Sequence, residues 1–311
     1  MILGNKKFYA TEHAIVVKSN DGIDVNWLYH ALCWLNLNQY ATGQAQPGLS
    51  VEAIEKIAVA VPPNQYEQQK IADCLSSLDG LISTESRKLD ALASYKKGLM
   101  QQLFPAEGET VPKLRFPEFR NAPAWGKRAM ENCFTERQET GYTDIPLLSL
   151  TDKDGIVLQA ESNRKDNSNT DKSKYLRICP SDIVYNTMRM WEGRSALAQM
   201  EGLVSPAYTV CKPKKHLHSQ FFAFYFKTYH AIKLFEKYSQ GLVKDTLNLK
   251  FKAFSQIDLL VPEVDEQKKI ANCLASLDEL IAMQTEKLDS LKNFKKGMMQ
   301  QLFPVENENA I

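Results

Sequence analysis

Apolar residues recur at steps of four and three in two stretches: Ile71, Leu75, Leu78, Ile82, Leu89, Leu92, Leu99 and Leu103, then Ile270, Leu274, Leu277, Ile281, Leu288, Leu291, Met298 and Leu302. This period is the heptad seam of a coiled coil. Polar residues interrupt both seams at equivalent places, Glu85 with Gln284 and Lys96 with Lys295. Matched interruptions predict that the two helices pair with each other, because a polar seam position fixes register and partner at some cost in stability. Val61-Pro62 and Val261-Pro262 precede the stretches, and Pro105 and Pro304 end them. Each helix is therefore expected to run about 37 residues, or about 55 Å at the usual helical rise.

The two stretches are copies. Glu67 to Pro105 recurs without a gap at Glu266 to Pro304, with 25 of 39 positions identical. The likeness extends upstream to the short apolar, strand-like runs Ile57 to Val61 and Ile257 to Val261, so the repeated unit is larger than the helix. About 160 residues separate the helices, room for a whole domain. Two domains, each followed by a long helix, with the helices antiparallel, is the expected α+β architecture: mixed α/β domains plus an antiparallel coiled coil.

Between the helices the pattern changes to short β-rich runs divided by turn signals, at Ile145 to Leu150, Ile156 to Leu158 after Asp154-Gly155, Ile183 to Tyr185, and Tyr208 to Cys211. An aromatic helix is expected over 221–238. The first copy shares only this ending, with a helix over 27–37 and Tyr40 and Gly43 matching Tyr238 and Gly241. Aligned backward from the Val-Pro landmarks, Met1 falls near Gln199, so a first domain shortened at its N-terminal side is expected. The resulting division is 1–62, the end of a first domain; 63–105, a central helix; 106–262, a complete domain; 263–304, a distal helix; and 305–311, a tail.

The 38 Lys+Arg and 37 Asp+Glu nearly cancel, but over residues 106–260 the counts are 23 and 18. The basic surplus lies between the helices. Six cysteines (Cys33, Cys74, Cys133, Cys179, Cys211, Cys273) show no C-x-x-C and no metal-ligand spacing with histidine, which predicts reduced, mostly buried thiols, no metal site and a cytoplasmic location. No apolar run is long enough to span a bilayer; the longest is Phe221 to Phe226.

The repeated EQxKIAxCL and KKGxMQQLFP helices, the Gly43 to Ser50 turn, and the run Asp182 to Trp191 followed by Leu203 to Val210 together resemble the specificity subunit of type I restriction-modification systems. The resemblance spans essentially the whole chain and keeps the family's order of elements. It implies a non-catalytic subunit, without cofactor, that reads one part of a split double-stranded DNA target per recognition domain. Its helices would dock methyltransferase subunits and set the spacing, and restriction subunits would join through the complex. The shortened first domain leaves room for self-association.

A DNA reader needs cations for phosphates and planar or amide groups for base edges. Asn186, Arg189 and Arg194 supply donors, and Trp191 a flat surface; packing of Met188, Met190 and Trp191 with solvated arginines is the competing reading. Lys172, Lys174 and Arg177, with Arg164 and Lys165, suit phosphates, or a solvated loop. Ser205 and Tyr208 fit a turn entering a strand, and Lys212, Lys214 and Lys215 a basic hairpin exterior. On the helices, Gln101, Gln102 and Phe104, with Gln300, Gln301 and Phe303, would offer an edge to a methyltransferase.

Catalytic chemistry is not encoded recognisably. Val61-Pro62-Pro63-Asn64 lacks the polar and aromatic residues that an amino-methyltransferase motif needs, and no Gly-rich phosphate loop occurs. Glu263, Asp265, Glu266 and Lys268 fit the acidic start of a helix better than a nuclease centre. His13, His30, His216, His218 and His230 form no nucleophile or metal constellation. A coiled-coil adaptor that binds only protein, or an inactive shortened product, is the alternative expectation.

Overall fold

The computed structural model describes residues 1–4, 7–11, 14–41, 48–151, 155–162 and 170–303. Helices α1 (Val25–Trp34), α2 (Val51–Glu55) and the long α3 (Gln65–Leu103) come first. Next follow β1 (Gly126–Ala129), α4 (Met130–Cys133), β2 (Phe134–Glu136), β3 (Leu148–Leu150) and β4 (Ile156–Leu158). The chain continues through β5 (Leu176–Ile178), β6 (Ile183–Asn186), β7 (Ser195–Leu197), β8 (Gly202–Val204) and β9 (Tyr208–Pro213). It ends with α5 (Ser219–Tyr225), α6 (Tyr229–Tyr238), α7 (Phe251–Phe254), β10 (Asp258–Val261) and the long α8 (Val264–Leu302). The architecture is α+β, and both long helices have 39 residues.

Two compact units divide the chain, and both long helices contribute to each: one unit comprises 1–92 and 280–311, the other 93–279. In the first, α3 and α8 run antiparallel. Lys295 donates to Asp79, while Gln284 Nε2 donates to the Glu85 carboxylate at 2.6 Å and to its backbone carbonyl at 3.0 Å. Glu85 and Gln284 are buried, so the polar break in one seam satisfies the break in the other. Lys287 and Gln284 hold the Glu85 carboxyl below the usual carboxylate range. The same antiparallel pairing recurs in the second unit, where Lys96 donates to Asp278. Seam positions Leu75, Leu274 and Leu288 are buried, as the heptad pattern requires.

The duplication governs the packing inside each unit. Buried Gln68 accepts from Asp24 N at 2.8 Å, at the N-cap of α1, and donates to Pro62 O at 2.8 Å. Its counterpart Gln267 accepts from His218 N at 3.0 Å, at the N-cap of α5, and donates to Pro262 O at 2.8 Å. Each unit then closes on the end of a long helix: Trp27 packs 6.0 Å from Phe303 in one, and Phe221 packs 5.4 Å from Phe104 in the other. The equivalent phenylalanines Phe104 and Phe303 are thus core.

In the second unit, β2, β9, β6 and β7 form an antiparallel sheet in that order, with β5 and β8, β3 and β4, and β1 and β10 as two-stranded pairs. Phe134, Phe222, Phe226, Phe235 and Phe254 fill the main core beside it, and Val184, Val204 and Val210 belong to a smaller one. Several expectations need revision. The aromatic helix is two helices, because Thr228 leaves the helical conformation and caps α6 with its hydroxyl. Ile57 to Val61 pairs with no strand among the described residues, whereas its counterpart β10 pairs with β1. All six cysteines are free, but only Cys133 and Cys211 are buried; Cys33 and Cys74 are exposed on helical faces turned from the core. His13 and most of the Gly43 to Ser50 turn lie outside the described residues.

Candidate nucleic-acid interface

Sheet register brings three of the candidate segments to one end of the second unit. Asn186, at the end of β6, faces Tyr208, at the start of β9, so the β6–β7 loop and the turn before β9 are neighbours. Leu176 at the start of β5 faces Val204 at the end of β8, which sets Lys172 and Lys174, just before β5, beside Ser205. Asn186, Arg189, Trp191, Arg194, Lys172, Lys174, Ser205 and Tyr208 therefore share this end of the fold.

The β6–β7 loop has a fixed shape. Met190 is fully buried and anchors it, while Met188 is exposed and Trp191 half-buried. The competing reading, in which all three side chains pack inside, holds fully only for Met190. A turn of 3₁₀ helix over Met190–Glu192 ends at Gly193 in the left-handed region, φ 76°, where an added Cβ would come within 3.0 Å of Ile232. Lys227 Nζ donates to the carbonyls of Gly193 and Ser195, both at 2.6 Å. The Asn186 side chain accepts from Met188 N at 2.9 Å, and the Trp191 indole donates to Met188 O at 2.9 Å.

On this frame the cations converge. Arg189 Nη1 and Arg194 Nε donate to the two oxygens of Glu192, at 2.8 and 2.9 Å. Lys244 lies 5.8 Å over the Trp191 ring, and Leu249 N donates to Thr187 O at 2.8 Å, so the segment around 244–249 joins the same surface. Lys172 sits 5.0 Å over Tyr175, Lys174 is exposed, and Ser205 Oγ accepts from Ala207 N at 3.3 Å. Tyr208 packs against the smaller core.

Other candidates fall elsewhere. Arg177 is engaged by Glu201 at 2.7 Å and Glu139 at 2.8 Å and stacks on Tyr142, so it braces the fold. Lys212 faces Thr135 at the opposite end of β9, with Lys214 and Lys215 beyond it, away from the converging loops. Arg164 and Lys165 lie outside the described residues. Phe104 and Phe303 are buried in the two units, while Gln101, Gln102, Gln300 and Gln301 are exposed. Glu192, Lys227 and Lys244 were not singled out from the sequence; the spacing of Arg189, Glu192 and Arg194 carried a legible signal for the first. Among the described residues no group of three or more His, Cys, Asp or Glu could hold a metal, and no helix is long and apolar enough to cross a membrane.

The family described as the type I restriction modification DNA specificity domain matches residues 1–94 and 127–293. The chain belongs to that family. As a specificity-family member it is 44% identical over 97 residues to the type I restriction enzyme EcoprrI specificity subunit of Escherichia coli, 30% of this chain and 24% of that one. The chain thus spans about a quarter of that relative's length. A longer match, 22% identical over 323 residues, covers 97% of this chain and 75% of the type I restriction enzyme MjaVIII specificity subunit of Methanocaldococcus jannaschii. The fold resembles the crystal structure of the type I restriction-modification S subunit from M. genitalium, with a TM-score of 0.60 at 15% identity, covering 92% of this chain and 74% of that one.

Proposed function

We propose that this specificity-family chain is the non-catalytic DNA-reading subunit of a cytoplasmic type I restriction-modification complex, with residues 106–262 reading one part of a bipartite duplex target. The observation that carries this reading is the braced β6–β7 loop, which holds Arg189 and Arg194 at one end of the sheet beside Asn186 and Trp191. A guanidinium fork matches the acceptor pair of guanine in the major groove, and an amide matches adenine, so residues of this kind select bases. Lys172, Lys174 and Lys244 suit the flanking phosphates, and Ser205 and Tyr208 line the neighbouring turn.

The exposed glutamines Gln101, Gln102, Gln300 and Gln301 are the docking edges for methyltransferase subunits, and restriction subunits join through that assembly. Phe104 and Phe303 support those edges from beneath. The reaction belongs to the partners; this chain supplies the address and needs no cofactor. The test is binding of the full chain to random duplex DNA between 50 and 200 mM salt. A log–log slope of several units supports the reader, since each neutralised phosphate contributes about 0.9. A flat response, with or without methyltransferase, would replace it by a protein-only adaptor.

A further inference from the structure

The Glu192 carboxylate sits between two arginines on a surface whose proposed ligand is a polyanion. A negative group there opposes phosphate binding, so its presence calls for a physical reason. Its backbone position does not depend on the side chain: Glu192 N donates to Arg189 O at 3.0 Å, Gly193 N to Met190 O at 2.8 Å, and buried Met190 anchors the turn. The side chain uses that fixed place to accept from Arg189 on one side and Arg194 on the other, one oxygen to each. Charge-assisted bonds of this kind orient a planar fork as well as attract it.

We propose that Glu192 is a specificity-determining residue of the DNA-reading loop, a built-in competitor that aims Arg189 and Arg194 and withholds them from indiscriminate phosphate contact. This rests on the DNA-reading function proposed above. The carboxylate removes one net charge from a two-arginine tip. A sequence-independent backbone must compete with it for the guanidinium donors, while a correctly placed guanine edge meets forks already oriented. Discrimination of this sort uses a repulsive element alongside the attractive one. Glu192 therefore acts through the arginines, as a positioning residue that lowers non-specific affinity in exchange for selectivity.

Two variants of the full chain separate charge from orientation. Glu192→Gln keeps an acceptor oxygen but removes the charge; Glu192→Ala removes both. Affinity for a random-sequence duplex is measured by fluorescence anisotropy from 50 to 200 mM salt, and each protein is used to select from a randomised duplex pool. With Glu192→Gln, random-duplex affinity is expected to rise about three- to tenfold and the salt slope to steepen by about one, the yield of one further phosphate contact. The motif selected by Glu192→Ala should lose information at the positions read by the arginines. Unchanged random-duplex affinity and slope in both variants, with wild-type binding salt-dependent, would overturn the role of Glu192 and leave the reader standing. Wild-type protein that binds no duplex and enriches no motif would overturn both.

Discussion

Lys295 donates to Asp79 across the paired helices of the first unit, and Lys96, its counterpart in the other copy of the repeat, makes the same bond to Asp278 in the second. One interaction, duplicated with its gene segment, thus holds the antiparallel register twice. Opposite charges at these positions favour this alignment, and a parallel alignment would set lysine beside lysine. The Asp79 side chain is 40% exposed and that of Lys295 17%, so solvent screening keeps the contribution modest.

Asp79→Lys should accordingly destabilise the first unit, and the charge-swapped pair Asp79→Lys with Lys295→Asp should recover most of the loss. A coupling energy of about 0.5 to 1 kcal/mol is expected from a double-mutant cycle of urea midpoints. Additive single effects would remove the pair from the determinants of register.

The exposed and buried parts of the duplicated MQQLFP termini should respond differently to truncation. Phe104 stacks 4.9 Å from Tyr225 and contacts Trp125 and Phe221, so Phe104→Ala opens a cavity and should cost about 3 to 5 kcal/mol. Gln101→Ala with Gln102→Ala leaves the packing intact and should shift stability by less than about 0.5 kcal/mol, while, on the proposed docking role of these glutamines, weakening capture of a methyltransferase subunit. Thermal melts and a pull-down with the purified partner read the two effects separately.

How far the sequence discloses this arrangement depends on the range of the forces involved. The helices, their pairing and the matched breaks at Glu85 and Gln284 follow from a local period and a gapless repeat. Strands β1, β2, β5, β7 and β8 are three or four residues long, too short for alternation to register, and all of them but β7 pair with strands distant in sequence. The β6–β7 loop was recognisable by composition. That Met190 would be its buried anchor and Trp191 only half-buried depends on neighbours such as Lys227 and Lys244, which no local pattern connects to it. Lys212, Lys214 and Lys215 mislead for the same reason: near in sequence to Tyr208, they lie toward the other end of its strand.

Acid should weaken the first unit through His30. This side chain is buried, Nε2 lies 3.1 Å from Ser76 Oγ, and burial, then the charge of Lys295, lowers its pKa, with Asp79 opposing at 3.9 Å. A histidine whose folded pKa lies below its unfolded value near 6.5 binds fewer protons when folded. Stability is then fully present above the unfolded pKa and declines as pH falls through 6.5 toward the folded value. Urea midpoints should drop between pH 7 and 5.5 in the wild type, and less in His30→Gln.

The pair formed by Arg137 and Asp182 bears on the β6–β7 loop itself. Asp182 is buried, accepts from Arg137 Nε at 2.7 Å and Nη2 at 3.2 Å, and also accepts from Cys179 N at 2.8 Å. It immediately precedes β6, whose far end launches the loop carrying Arg189 and Arg194. Removing Asp182 leaves the buried Arg137 guanidinium with Glu139 as its remaining carboxylate partner, so Asp182→Ala should cost about 3 kcal/mol. Replacing both, Arg137→Met with Asp182→Leu, removes the guanidinium, leaves Glu139 its bond to Arg177, and should restore part of that loss, the remainder being the acceptor that Cys179 N loses. If the ion pair serves only stability, the double variant regains DNA binding along with its melting temperature. A variant that melts like wild type yet no longer selects a DNA motif would instead assign Asp182 a part in holding the loop at its reading angle.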